Sequence, residues 1–222
     1  MSSGFLGQIF RISDQSPIAQ GNDRAIYDAP NYPGLLLKIP LPTEKRKLSL
    51  IERFLFERYP SMKIRALKEE YLQYISTIYS DDVDISEIPI PLMLGFAQTD
   101  IGPASLVEKI YIDEKTIAPS LHKMMMDNQQ SKLDLQALNV FANEILKYRI
   151  VTTDLTTRNI VYGQRLGRRR FFLVDGIGDN YAFKVRHLSH NIVKYDQAKK
   201  FQKIARALGI HWCGDSWSFS PL

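Results

Sequence analysis

The sequence lacks the features that define several classes of protein. It contains one cysteine, Cys213, so a disulfide within the chain and a zinc cluster built on cysteines are both excluded. Its apolar runs stay shorter than the roughly 18 residues of a membrane-spanning helix. The N-terminal residues show no basic segment followed by an apolar one, and no Walker loop, dinucleotide fingerprint or nucleophile elbow occurs. The sequence therefore predicts a cytoplasmic protein without a transmembrane segment.

Length and composition are those of an ordinary globular protein. Apolar residues make up 45% of the 222 residues, which is enough for a real core in one domain or in two tightly packed lobes. The net charge of +5 favours anionic partners, such as nucleotides, nucleic acid or a phosphorylated lipid surface, without choosing among them.

The spacing of apolar residues predicts both strands and helices. Short runs of strand composition, bounded by turn residues, predict strands at 9–12, 25–27, 35–40, 92–98 and 105–112, and two more around a turn at 166–168. Helix formers with apolar residues at helical spacing predict helices within 45–78, 133–148 and 196–208. The aromatic residues after the last helix are expected to pack on it. The predicted fold class is α+β.

Residues 149–180 contain the strongest candidates for a functional site. Asp154 precedes one apolar run, and Asn159 lies five residues after Asp154. At this spacing a carboxylate and an amide can face one pocket from a loop. Asp175 follows a second apolar run and is followed by Gly176, so a metal-binding oxygen lies where the backbone can turn sharply.

The turn between these two runs carries the densest basic cluster in the chain, Arg165 with Arg168, Arg169 and Arg170. A solvated hairpin turn is the favoured interpretation, because charge runs are usually solvated. Contact with the phosphates of a nucleic acid is the weaker alternative.

Lys38 and Gly21 are two further candidates, in the first part of the chain. Lys38 is embedded in an apolar strand, where its charge is costly to bury unless a carboxylate or phosphate pairs with it. Glu69 or Glu70, both on a predicted helix, could supply that carboxylate; a side chain reaching solvent from an edge strand is the alternative. Gly21 lies in a turn between two strands that could cover phosphates, although an ordinary hairpin explains the same residues.

Two of these motifs resemble those of protein kinases. Residues 154–159, DLTTRN, resemble the kinase catalytic loop D-L-x-x-x-N, and residues 175–177, DGI, resemble the D-F-G metal motif. The resemblance implies that Asp154 accepts the proton of a substrate hydroxyl. It also implies that Asn159 and Asp175 hold Mg²⁺, with Mn²⁺ as an alternative, against the phosphates of ATP.

The same resemblance assigns nucleotide contacts elsewhere in the chain. Lys38 is similar to the third-strand lysine of kinases, which implies contact with the α- and β-phosphates, and Glu70 would hold it, with Glu69 as the alternative. Gly21 would lie over the phosphates. The backbone of the segment that includes Glu108 and Ile110 would hydrogen-bond adenine.

A narrower resemblance is to the bacterial YrbL-like family, named for the PhoP regulatory network. It rests on residues 11–18, RISDQSPI, on Lys38 with its neighbours, on Glu70 followed by Tyr74, and on residues 149–152, RIVT. Members resemble compact protein kinases. This implies a two-lobed protein-kinase-like fold, with an N-terminal lobe at 1–107 and a compact C-terminal lobe at 108–222.

The function implied by the resemblance is an ATP- and magnesium-dependent phosphotransferase acting on a hydroxyl group. No A-P-E sequence is present, so the sequence does not indicate a peptide-docking lobe of ordinary size. A small molecule or a glycolipid therefore fits the role of phosphate acceptor as well as a protein does. Thr152, Thr153 and Thr156 stand where many kinases have His, Arg and Lys. A nucleotide-binding pseudokinase with a regulatory role is therefore the alternative.

Overall fold

The computed structural model of the chain describes residues 8–21, 23–41, 49, 54, 58, 65–80, 83–128, 133–178 and 190–222. The fold is a mixture of helices and strands, which confirms the predicted α+β class. The chain forms two compact units, Met1–Arg65 with Leu92–Lys109, and Ala66–Pro91 with Ile110–Leu222. The boundary after Lys109 lies two residues beyond the predicted one, which followed residue 107. The predicted lobes also differ in residues 66–91, which group with the second unit and not with the first.

The first unit is built on a six-stranded sheet in the order β1-β5-β6-β4-β3-β2. β1 pairs in parallel with β5, and the other neighbouring strands are antiparallel. β2 lies in a stretch that the sequence assigned to a turn, and β1 is shorter than predicted. The strands are β1 Ile9–Phe10, β2 Ala19–Gln20, β3 Arg24–Asp28, β4 Leu35–Pro40, β5 Met93–Thr99 and β6 Gly102–Glu108.

The core of the first unit lies on one face of this sheet. Leu37 and Ile39 of β4 join Phe10 and Leu106 in a buried cluster. Because successive side chains of a strand alternate between faces, Lys38 is directed to the opposite face. It is nevertheless only 5% exposed. The predicted helical residues 45–60 lie outside the described part of the chain, apart from three isolated positions.

The second unit contains four helices and four strands among its described residues. Its α3 begins at the N-cap Asp134, whose carboxylate accepts from the Ala137 amide at 2.9 Å, and ends before Arg149, which has a φ of 49°. The elements are α1 Arg65–Ile78, α2 Leu121–Met126, α3 Leu135–Lys147, β7 Ile160–Arg165, β8 Arg168–Leu173, α4 His190–Leu208, β9 His211–Cys213 and β10 Ser218–Ser220.

Aromatic rings dominate the packing of the second unit. Phe141 of α3 lies 6.4 Å, centroid to centroid, from both Phe171 of β8 and Phe201 of α4. Trp212 and Trp217 also pack on Phe201, with ring centroids at 4.9 and 5.8 Å. The predicted packing of the aromatic tail on the last helix is confirmed. The β9–β10 hairpin itself was not predicted, because each strand has only three residues.

The β7–β8 hairpin follows the predicted boundaries closely. Its two turn residues, Leu166 and Gly167, both have positive φ, at 50° and 76°, which matches the turn that right-twisted antiparallel strands prefer. Gly163 of β7 lies so close to Ile110 that an added Cβ would be 2.4 Å from Ile110 Cγ2. The hairpin positions the two segments that carry the candidate site, one before β7 and one after β8.

Candidate functional site in the second unit

The loop that carries Asp154 is held from two helices by buried glutamines. Gln73 of α1 accepts from the Val151 amide at 3.2 Å and donates to the Arg149 carbonyl at 3.4 Å. Gln197 of α4 donates to the Ile150 carbonyl at 2.7 Å. Both glutamines are at most 4% exposed. Bonds from buried amides to main-chain groups restrict the loop more than surface contacts would.

Asp154 and Asn159 are brought together as predicted, within one loop. The Asn159 side-chain nitrogen donates to the Asp154 carboxylate at 2.7 Å and to the Asp154 carbonyl at 2.9 Å. The Asn159 amide also donates to the Thr156 carbonyl at 3.0 Å, which closes the loop as a turn. Because the side-chain nitrogen of Asn159 makes both bonds to Asp154, the side-chain oxygen of Asn159 is the atom left to bind a cation.

Asp175 lies two residues beyond the end of β8, and main-chain contacts join its segment to the same loop. The Val174 amide donates to the Asn159 carbonyl at 2.9 Å. The next residue, Gly176, has a φ of 74°, and a Cβ added to it would lie 2.8 Å from the Asp154 Cβ. Only glycine fits this position without strain or collision. The three predicted residues are thus part of one packed unit.

Two threonines fasten the segment before Asp154 to the turn after Asp175. The Thr152 hydroxyl donates to the Gly176 carbonyl at 2.7 Å, and the Thr153 amide donates to the same oxygen at 2.9 Å. These are the positions at which many kinases have His and Arg. Their neutral hydroxyl and amide groups therefore serve to hold the two segments together.

The segment after Asp175 also packs closely on α1. Gly178 has a φ of 94°, and an added Cβ would lie 2.7 Å from the Glu69 carbonyl carbon. The Gly178 amide donates to the Val151 carbonyl at 2.8 Å. Glu69 and Glu70, which the sequence offered as alternative partners of Lys38, are 6% and 2% exposed. Lys38 lies in the first unit and both glutamates in the second, so their pairing remains a prediction.

The remaining predicted nucleotide contacts have local environments of their own. Gly21 is exposed, and its amide donates to the Arg24 carbonyl at 2.9 Å, as in an ordinary hairpin turn. The Glu108 amide donates to the Leu92 carbonyl at 2.8 Å. The Ile110 carbonyl accepts from the Ala118 amide at 2.9 Å. Contacts of these residues with adenine or phosphates remain predictions of the sequence.

The donor set around Asp154 suits a hard cation in its chemistry. Asp175 and Asn159 offer carboxylate and amide oxygens, which are the ligands that Mg²⁺ prefers. Within the described part of the chain, no group of three or more His, Cys, Asp or Glu side chains is arranged to hold a metal ion. A metal here would take part of its coordination from water and phosphate oxygens, as Mg²⁺ commonly does.

The prediction of a fully solvated basic turn is wrong for two of its four arginines. Arg165 is buried, and its guanidinium donates to the carbonyls of Ile88 and Ile90 at 2.8 and 2.9 Å. Arg170 donates to the carbonyls of Ser86 and Glu87 at 2.8 and 2.6 Å. The two guanidinium groups therefore satisfy main-chain carbonyls of residues 86–90, a segment outside the helices and strands. The nucleic-acid alternative keeps only Arg168 and Arg169 as exposed contacts.

Comparison with protein families identifies the family of the chain. The family described as PhoP regulatory network protein YrbL matches residues 10–209. The chain belongs to this family. The match includes Lys38, Asp154 and Asp175, and it confirms the family resemblance in the sequence. No curated protein matches the chain.

Some residues that build the site carry no recognisable signal in the sequence. Gln73 and Gln197 are ordinary helix residues until their loop partners are known. Lys200 of α4 donates to the Thr152 carbonyl and to the Asp196 carboxylate.

Among the described residues, no helix is long and apolar enough to cross a membrane.

Proposed function

We propose that this YrbL-family chain is an ATP- and magnesium-dependent phosphotransferase of the protein-kinase-like class. The observation that supports the proposal is the bond from the Asn159 side-chain nitrogen to the Asp154 carboxylate, at 2.7 Å, within a loop joined to Asp175. A carboxylate, an amide and a second carboxylate at these positions are what phosphoryl transfer to a hydroxyl requires.

In this proposal, Asp154 acts on the acceptor. Asn159 occupies its Oδ2, so the other carboxylate oxygen, on an exposed side chain, accepts the proton of the attacking hydroxyl. The hydroxyl oxygen bonds to the γ-phosphorus of ATP while the bond from that phosphorus to the ADP oxygen breaks. Because the transition state is loose, the residues contribute mainly position and charge.

Asp175 and the side-chain oxygen of Asn159 would hold the metal. Magnesium, when bound, offsets negative charge on the phosphate oxygens. Gly176 allows the backbone after Asp175 to turn directly beside Asp154, so the segments that carry the metal ligand and the proton acceptor are packed against each other. Lys38 would contact the phosphates and Glu70 would hold Lys38, as the family resemblance implies. The acceptor is a small molecule, a glycolipid or a protein.

The alternative is a regulatory module that binds nucleotide without transferring phosphate. The observation that favours it is the use of Thr152 and Thr153 to hold the Gly176 carbonyl, where many kinases have a His-Arg pair. Release of labelled γ-phosphate, to water or to an acceptor, separates an enzyme from this module. Magnesium-dependent binding without any transfer would support the module.

Thermal denaturation tests the proposed nucleotide site directly. ATP at about 100 times its dissociation constant should add about 2.7 kcal/mol to the free energy of unfolding when Mg²⁺ is present. With EDTA the gain should largely disappear, because Asp175 and Asn159 reach the phosphates through the ion. An equal gain with EDTA would contradict the assignment.

A further inference from the structure

A second pocket in the same unit has no role in the proposed function. It is a cavity of about 300 Å³ between the first three residues of β8 and one side of α3. Its lining includes Arg168, Arg169, Arg170 and Glu144, and it contains none of Asp154, Asn159 and Asp175. Cavities of this size accommodate a small metabolite. We call it the hairpin pocket.

The three arginines of the hairpin pocket differ in how far they are engaged. The Arg168 side chain is 81% exposed and lies 3.8 Å from the Glu87 carboxylate, and Arg169 is exposed. Arg170 is 12% exposed and bonds to main-chain carbonyls. The guanidinium fork matches the geometry of a phosphate group, so three arginines in the lining of one cavity favour an anionic ligand.

The carboxylates of the pocket do not cancel this charge equally. Asp134 is occupied, because it accepts from the Ala137 amide at 2.9 Å and from the Tyr162 hydroxyl at 3.2 Å. Glu87 faces the exposed Arg168 across 3.8 Å, a distance at which a surface pair contributes little. Glu144 is therefore the carboxylate that competes most directly for Arg170.

The contact between Glu144 and Arg170 is incomplete. Glu144 Oε1 accepts from Arg170 Nη2, and the two side chains are 13% and 12% exposed. Glu144 Oε2 and Arg170 Nε are buried and have no hydrogen-bond partner among the described residues. An end-on pair that leaves one donor and one acceptor unsatisfied is poorly stabilised against a competing anion.

The protonation of Glu144 sets the strength of this competition. Burial raises the pKa of Glu144 to about 7, although Arg170 beside it lowers the pKa. Of the other charges that face it, Glu87 raises the pKa and Lys147 lowers it. As the pH falls through 7, Glu144 becomes neutral and Arg170 loses its charged partner.

We propose that the hairpin pocket binds a small dianionic ligand of the phosphate class on Arg168, Arg169 and Arg170. The anion replaces the Glu144 carboxylate as the charged partner of Arg170, and Glu144 takes up a proton when it binds. Binding therefore strengthens as the pH falls from 8 to 6. This site is independent of the proposed phosphotransferase chemistry.

Titration calorimetry with sulfate tests the pH dependence. Sulfate stays dianionic throughout this range, whereas phosphate itself titrates near neutrality. With a Glu144 pKa of about 7, wild-type protein should bind sulfate roughly tenfold more tightly at pH 6 than at pH 8. Glu144→Gln mimics the protonated side chain, so it should bind at pH 8 as tightly as wild type does at pH 6, without pH dependence. A pH dependence unchanged in Glu144→Gln would overturn the role of Glu144.

The exposed arginines provide a test that does not depend on a buried substitution. Arg168→Ala/Arg169→Ala should weaken sulfate binding by at least about tenfold, because it removes two charged donors from the anion. Arg206→Ala, which removes an exposed arginine of α4 outside the pocket, should leave binding unchanged. Equal weakening in both proteins, or no binding by wild type at pH 6, would overturn the proposal.

Two further probes identify the source of the anion. Inorganic phosphate and glycerol phosphate are compared at pH 6 with wild type and the double arginine variant. Tighter binding of glycerol phosphate, lost in that variant, supports an organic phosphate as ligand. Equal binding of the two probes, also lost there, supports the free ion. Retention of both probes by the double variant would place the anion outside this pocket.

Discussion

Asn159 donates its side-chain nitrogen to both the carboxylate and the carbonyl of Asp154, at 2.7 and 2.9 Å. The carbonyl of the same Asn159 accepts from the Val174 amide, immediately before Asp175. One residue therefore positions the candidate proton acceptor and anchors the segment that carries the candidate metal ligand. The spacing of five residues from Asp154 is what makes the first contact possible.

Three glycines of the second unit should respond differently to alanine. Gly167 has a φ of 76° with open space around an added Cβ, so Gly167→Ala should cost about 1 kcal/mol from backbone strain alone. Gly176 combines a φ of 74° with a Cβ only 2.8 Å from the Asp154 Cβ, so Gly176→Ala should cost about 3 kcal/mol or more.

Gly163 provides the control in which collision acts without positive φ. Its added Cβ would lie 2.4 Å from Ile110 Cγ2, so Gly163→Ala should destabilise through collision alone. Urea denaturation of the three variants gives the comparison. If Gly176→Ala costs no more than Gly167→Ala, the close approach of Gly176 to Asp154 is wrong.

Arg165 should stabilise the second unit far more than the exposed Arg168. Its guanidinium satisfies the buried carbonyls of Ile88 and Ile90 and lies 4.8 Å from the ring centre of Phe172. Arg165→Met should lower the free energy of unfolding by about 3 kcal/mol, because these carbonyls lose their donors. Arg168→Met should change it by less than about 0.5 kcal/mol. Similar losses in both variants would contradict the assignment.

The sequence predicts best where local pattern decides the structure. The short apolar run around Lys38 correctly gives β4, and the two apolar runs around residues 166–168 correctly give the hairpin. The motif that contains Asp154 and Asn159 could be found because its contact spans five residues. In each case the interacting residues are close in the chain, so spacing alone carries the information.

The sequence fails where a residue acts through distant main-chain groups. Arg165 satisfies carbonyls that lie more than 70 residues earlier, and Gln73 holds a loop that lies more than 70 residues later. The local sequence around Arg165 or Gln73 does not distinguish it from a solvated arginine or a solvated helical glutamine. The same long-range contacts explain why residues 66–91 group with the second unit, which the linear order of the elements did not indicate.

Glu144 should make the stability of the protein depend on pH near neutrality. Because burial raises its pKa to about 7 in the folded state, the folded protein binds a proton more tightly than the unfolded chain does. The stabilising contribution is fully present only below the unfolded pKa of about 4.5, and its loss is complete once the pH has risen through the folded pKa of about 7. In a buffer without phosphate or sulfate, raising the pH from 6 to 8 should cost about 1 kcal/mol through this group.

Glu144→Gln should remove that dependence, since glutamine does not titrate. Urea denaturation of both proteins at pH 6, 7 and 8 measures it. The histidines remain in both proteins, so the difference between the two curves isolates Glu144. A wild-type curve that stays parallel to that of Glu144→Gln would show that this carboxyl does not titrate in the range.

The most direct test of the proposed function separates the two carboxylates by role. Binding of a labelled ATP analogue and release of γ-phosphate are measured side by side on Asp154→Ala and Asp175→Ala, with Mg²⁺ present. Asp175→Ala should lose metal-dependent binding, because it removes a charged ligand of the ion. Asp154→Ala should keep binding and lose turnover by about 10²–10⁴-fold, because a proton acceptor acts on the acceptor hydroxyl and not on ATP. Asp154→Ala with wild-type binding and wild-type turnover would contradict the account.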